Sequence, residues 1–168
     1  PMSLIHEGVG EVVFDSKGIY KKGTKVVMVP NTPTENDDVI AENYLPSSYF
    51  RSSGYDGFMQ DFNFLKHDRV VPLPDNVDLS ILSYTELVSV SLHAINRFEM
   101  KSISNRSSFG IWGDGNLGYI TALLLRKIYP DCKIYVFGKT DYKLSHFSFV
   151  DKTYHIDNVP NNLTFDHG

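Results

Sequence analysis

Apolar and polar positions change their rhythm once along the chain. Up to about residue 78, apolar residues alternate over short stretches and are interrupted by turn formers. Gly8-Val9-Gly10-Glu11-Val12-Val13-Phe14 reads as a strand closed by Asp15-Ser16-Lys17-Gly18, and a second strand is predicted over 24–30. Residues 31–53 carry Pro, Asn, Asp and Ser with little period. Gly54 and Gly57 then bracket a turn leading into two further extended runs, 58–65 and 69–72. Short strands on long polar loops predict a small β-barrel or sandwich. Beyond Pro72 and Pro74, apolar Leu82, Leu87, Val90 and Ala94 recur at helical spacing, so residues 79–98 are predicted as a connecting helix.

The second part has another period. A short buried-type strand at 109–112 is followed by a helix at 116–129, a β-branched and aromatic strand at 133–137 and a helix at 141–147. This is the βαβα beginning of a parallel sheet, so the fold class is α/β. The division is expected at residues 101–108, where Ser, Asn and charge cluster, giving a β-rich part over 1–100 that includes the connecting helix and a nucleotide-binding part over 101–168. The chain begins at Pro1 and stops as an apolar stretch begins, which reads as a piece of a longer chain, a trimmed domain being the alternative.

Composition narrows the function classes. With 42% hydrophobic residues and 16 Lys+Arg against 20 Asp+Glu, the net charge of −4 suits a globular protein and offers no footprint for nucleic acid. No apolar run approaches a membrane span and no signal-peptide pattern opens the chain, so a cytoplasmic location without membrane contact is expected. A single cysteine, Cys132, excludes a disulfide framework and a multi-cysteine zinc knuckle, and is expected to be a structural thiol.

Gly113-Asp114-Gly115-Asn116-Leu117-Gly118 matches G-x-G-x-x-G between a predicted strand and helix. There the first glycine permits the tight turn, the second lets backbone amides approach a pyrophosphate, and the third allows close helix-to-strand packing. A turn serving packing alone is the bland alternative. At the tip of the next strand, Phe137-Gly138-Lys139-Thr140 carries no carboxylate to accept from ribose hydroxyls, but a cation and a hydroxyl. That chemistry favours NADP(H) over NAD(H), with Lys139 and Thr140 as binding residues, although a lysine there is also what a solvated surface would show. Gly138-Lys139-Thr140 also looks like the tail of a P-loop, but Lys133 stands where that loop needs glycine.

Two further segments carry a resemblance. Ile5-His6-Glu7-Gly8-Val9-Gly10-Glu11-Val12-Val13 resembles the G-H-E-x-x-G-x-V run of zinc-dependent medium-chain alcohol and polyol dehydrogenases. Val70-Val71-Pro72-Leu73-Pro74-Asp75, followed by Tyr84-Thr85-Glu86-Leu87-Val88-Ser89-Val90-Ser91-Leu92-His93-Ala94, resembles that family's linker and E-P-L-x-V-A-L-H-A helix. Within the family, the wording around residues 111–118 and 136–141 is similar to bacterial ribulose-5-phosphate reductases of the staphylococcal type, which serve ribitol teichoic acid synthesis.

The resemblance implies part of a GroES-like catalytic domain followed by the first half of a Rossmann domain. It also implies NADPH-dependent, zinc-assisted reduction of D-ribulose 5-phosphate to D-ribitol 5-phosphate, in a homodimer that could work beside a cytidylyltransferase making CDP-ribitol. One catalytic Zn2+ would be held by His6, Glu7 and Glu86. From the residues alone a His-Glu pair is more often solvent-facing. Glu86 among Leu82, Leu87 and Val90 needs a partner, either a metal or a salt bridge to Arg97 or a lysine.

The family's upstream cysteine ligand and the second half of its nucleotide sheet have no counterpart here, so the 168-residue piece alone is expected to turn over poorly, while the lack of a four-cysteine lobe agrees with a single-zinc, polyol-type enzyme. Arg51 is the candidate for the substrate phosphate, with an exposed loop arginine as its alternative. His67, His93 and His155 are given no catalytic role, and no general acid or base is assigned. Two rival readings stay open: a polyol dehydrogenase for an unphosphorylated sugar alcohol, and a non-catalytic dinucleotide-binding module.

Overall fold

The computed structural model describes residues 2–167, which form two compact units divided between Glu86 and Leu87. In the first unit, β1 (Val9–Glu11), β2 (Lys25–Met28) and β6 (Val70–Pro72) make an antiparallel sheet with β2 in the centre. Central placement explains why Val26, Val27 and Met28 are all buried, on both faces of the strand. A second small sheet joins β3 (Asn31–Thr32) and β4 (Tyr49–Arg51), inside the region whose sequence shows little period, to β5 (Gly54–Tyr55) in the turn that follows it. Two- and three-residue strands are too short for alternation to register.

The expected extended run over 58–65 forms no ladder. Its beginning is spent elsewhere: the amides of Gly57, Phe58 and Met59 donate to the carbonyls of Ser3, Ile5 and Leu4, at 2.8, 2.6 and 3.0 Å. The helix expected over 79–98 is two helices, α1 (Leu79–Leu82) and α2 (Thr85–Lys101). Asp78 caps α1 by accepting from the Ser80 amide. The hydroxyls of Ser83 and Thr85 then donate to the carbonyls of Ser80 and Leu82, which competes with continuation of the helix.

The second unit is a parallel sheet in the order β7 (Ser108–Trp112), β8 (Lys133–Gly138), β9 (Lys152–His155). Helix α3 (Asn116–Ile128) connects β7 to β8, and α4 (Asp141–Leu144), shorter than expected, lies between β8 and β9. Ile134 and Val136 of β8 are fully buried with Phe109, Ala122, Leu125, Cys132, Leu144 and Phe147. Ile95 and Phe98 of α2 join this core, so from Leu87 onward the helix expected as a connector belongs by contact to the second unit. On the other face, Trp112, Phe137 and Tyr154 stack across the three strands.

On the edge of β7 opposite β8, the Gly110 amide donates to the His167 carbonyl at 2.6 Å, and His167 bridges Phe109 in parallel. Asp166 anchors this segment by accepting from the amides of Ser107 and Ser108 and from the Ser107 hydroxyl. Strand order therefore reverses at β7. In open α/β sheets the crevice at such a reversal, beyond the carboxyl ends of the strands, is where ligands bind. No helix among the described residues is long and apolar enough to cross a membrane.

Candidate dinucleotide loop and metal centre

The loop leaving the carboxyl end of β7 is the glycine run. Gly113 has φ +153°, a backbone conformation side chains rarely adopt, and its amide donates to the Phe137 carbonyl at 2.9 Å. A Cβ on Gly118 would lie 2.1 Å from the Gly113 carbonyl oxygen, so the third glycine is what lets α3 close on the strand. Space beside Gly115 is open, and Gly115, as the N-cap of α3, brings no side chain to its first-turn amides. Those amides and the helix dipole suit a phosphate.

The tip of β8 lies against this loop. One carboxylate oxygen of Asp114 accepts from the amides of Lys139 (3.0 Å) and Thr140 (2.9 Å). Burial works to raise the Asp114 pKa, but the amides of Thr140 and Lys139, helped by the charge of Lys143, outweigh it and hold the carboxyl below its ordinary value. The sequence shows no carboxylate at this tip; the fold supplies one from the neighbouring loop. The side chains of Lys139 and Thr140 are exposed.

The metal candidates of the first unit converge. One ligand atom each from His6, Glu7 and Glu86 lie within 4.8 Å of one another, with His6 Nε2 3.9 Å from Glu7 Oε1. Residues 3–5 deliver His6 and Glu7 by pairing with residues 57–59, and only glycine fits at 57, where a Cβ would meet the Leu4 carbonyl oxygen at 2.3 Å. Ile5 turns the chain with φ +67°, a left-handed conformation costly for a β-branched residue. It stands where the G-H-E motif has its leading glycine. The His6 ring packs on Phe50, with centroids 5.2 Å apart.

Glu86 enters from the first turn of α2. Burial pushes its carboxyl up, His6 opposes that rise and Glu7 adds to it. A nitrogen and two carboxylates sharing one point, with one carboxyl already reluctant to ionise, form a donor set that a divalent cation such as zinc would suit.

Arg51 is outside this cluster. Its guanidinium donates to the Asp56 carbonyl at 3.2 Å and lies 5.9 Å from the Phe58 ring centroid. Cys132 sits in the core of the second unit, where burial pushes its thiol up, as befits a structural residue. The residues that sequence reasoning passed over are Asp114, Gly57 and Phe50. Only Asp114 carried a signal, an acid inside a loop meant for phosphate.

No protein-family model matches the chain. Ribulose-5-phosphate reductase 1 of Staphylococcus aureus is 81% identical over 167 residues, covering 99% of this chain and 49% of that protein. Ribulose-5-phosphate reductase 2 of the same organism is 73% identical over the same span and shares. Over nearly its whole length, then, this chain is similar to ribulose-5-phosphate reductases. The crystal structure of S. aureus TarJ in complex with NADPH superposes with TM-score 0.80 at 69% identity, over 99% of this chain and 46% of that one. The chain thus spans about half the length of the relatives it matches. The fold shared in this superposition is the one described above, a β-rich unit followed in the chain by the beginning of a Rossmann-type parallel sheet.

Proposed function

We propose that the complete protein carrying this chain reduces D-ribulose 5-phosphate to D-ribitol 5-phosphate with NADPH and one zinc ion. The observation that carries this reading is the 81% identity, over nearly the whole chain, to a protein named ribulose-5-phosphate reductase. The two sites supply the chemistry it needs. His6, Glu7 and Glu86 would hold the ion, and residues 113–118 with Lys139 and Thr140 would hold the dinucleotide. When bound, zinc supplies a Lewis acid for the carbonyl oxygen and NADPH a hydride for the carbonyl carbon.

The chain's own residues do the positioning. Ile5 and Gly57 set the path of the His6-Glu7 segment. The Glu86 carboxyl is kept half-buried, so that its charge is best satisfied by a cation. First-turn amides of α3 bind pyrophosphate oxygens, and the Lys139 ammonium and Thr140 hydroxyl meet the 2′-phosphate. Residues 1–100 then serve as the catalytic portion with its connecting helix, and 101–168 as the beginning of the NADP-binding domain. A homodimer in the cytoplasm, with a cytidylyltransferase consuming the ribitol 5-phosphate for teichoic acid, completes the reading. Arg51 stays the candidate for the substrate phosphate, which would require it to leave the Asp56 carbonyl.

The test is NADPH oxidation by the complete protein with ribulose 5-phosphate and with unphosphorylated ribulose, before and after chelation. Oxidation with the phosphorylated ketose only, abolished by chelator and restored by Zn2+, is expected. Equal rates with both sugars would point to a polyol dehydrogenase. Retained NADPH binding without oxidation of either would point to a binding module.

A further inference from the structure

We propose that Asp114 is a positioning residue for dinucleotide choice: it clamps the tip of β8 onto the glycine loop and so holds Lys139 and Thr140 in the arrangement that selects NADPH over NADH. This rests on the dinucleotide reading above and adds to it a residue outside the set assigned to the cofactor.

Three contacts fix the tip. Asp114 takes the amides of both Lys139 and Thr140 on one oxygen. From the other side, His155 Nε2 at the end of β9 bonds the Lys139 carbonyl at 2.8 Å, so this residue's backbone is held at its N–H and its C=O. Beneath them, the Gly113 amide bonds the Phe137 carbonyl. The approach leaves no room for a side chain at position 138, where a Cβ would lie 2.6 Å from the Asp114 Cβ. Gly138 and Asp114 are therefore one device.

Its chemistry bears on selection. A carboxylate projecting from this tip would accept from the ribose hydroxyls and repel a 2′-phosphate. Here the carboxylate comes from the adjacent loop, and its oxygen is engaged by two N–H groups through charge-assisted bonds. Lys143 lies near enough to act on it. Lys139 and Lys143 stand against Asp114 and Asp141 at this tip, so engagement of the Asp114 oxygen by the two amides is what limits its opposition to a phosphate dianion. An untied carboxylate would instead be free to compete for the ribose.

The experiment titrates NADPH and NADH into the complete protein by nicotinamide fluorescence, with Asp114→Ala, Asp114→Asn and Gly138→Ala. Removing the clamp by Asp114→Ala, or wedging it apart by Gly138→Ala, is expected to lower the NADPH-over-NADH preference about tenfold. Asn keeps an oxygen for the two amides, so D114N should stay within about threefold of the unmodified ratio. If D114A does not fold, G138A approaches the same clamp from the other side. An unmodified or higher ratio in D114A and G138A overturns the inference, as does an equal fall in D114N, which would make charge and not the clamp decisive. Failure of the unmodified protein to bind either dinucleotide removes the dinucleotide reading itself. Normal preference in the unmodified protein with no change in the variants removes only the role of Asp114.

Discussion

The two units hold their chemistry by different means. In the second, one continuous apolar cluster runs from Ile95 through Phe109, Ala122, Ile134 and Val136 to Leu144 and Phe147, and the glycine loop rides on it. In the first, the buried apolar residues are fewer, Val26, Val27, Met28, Leu45 and Phe58, and polar knots do much of the fastening. Buried Arg69 donates to both carboxylate oxygens of Glu42, at 2.7 and 3.0 Å, to Asp68 and to the Asn31 carbonyl. Asp15 accepts from the Lys17 and Tyr20 amides and pairs with His67 at 2.5 Å. The lesson is that short strands and long loops bury too little apolar surface to bring His6 and Glu7 to Glu86 by packing, so hydrogen bonds and a strained backbone do it.

That contrast can be broken at its strongest point. Ile134→Ala removes a fully buried side chain from the central strand of the second unit and is expected to cost about 3 kcal/mol. Hydrogen exchange should lose protection over residues 87–167 and keep it over 2–86. Equal loss in both units would mean that they unfold as one. Arg69→Ala is the counterpart in the first unit, where the loss of several hydrogen bonds to charged partners is expected to cost about 2 kcal/mol. Its effect should concentrate in residues 2–86, and a neutral result in denaturant unfolding would show that the knot is not what fastens this unit.

The smallest effect sharpens the point about strain. Ile5→Gly relieves a left-handed conformation worth roughly 1–2 kcal/mol and adds the flexibility cost of glycine, about 0.5–1 kcal/mol. A net gain of up to about 1.5 kcal/mol is expected in thermal unfolding of the first unit. Destabilisation would show that contacts of the Ile5 side chain outweigh the strain.

Much of the second unit was legible beforehand. The strand at 109–112, the helix at 116–129 and the strand at 133–137 differ from β7, α3 and β8 by one residue at single ends, because their periods are long enough to declare themselves. The helix expected at 141–147 has the start of α4 and overruns its end by three residues, while the strand β9 was not legible, since Lys152-Thr153-Tyr154-His155 reads as neither period. In the first unit, β3, β4 and β5 escaped because two or three residues cannot alternate visibly. Residues 58–65 misled because their apolar pattern is that of a strand, whereas the amides of Phe58 and Met59, with that of Gly57, are used to hold residues 3–5. Among the candidate residues, His6, Glu7 and Glu86 are brought together, while Arg51 is occupied with Asp56 and Phe58.

By itself the sequence determined the α/β class, the order of a β-rich part before a parallel sheet, and the glycine loop with the geometry its spacing demands. These follow from local rules, because side-chain period and glycine's freedom act within a few residues. Only the tertiary structure decided which groups meet. It carries Glu86 to His6 and Glu7, lays residues 57–59 against 3–5 through a glycine, and turns Asp114 onto the amides of Lys139 and Thr140. The physical reason is that such contacts join segments far apart along the chain. They form where burial of other residues brings backbones close, so no local pattern announces them.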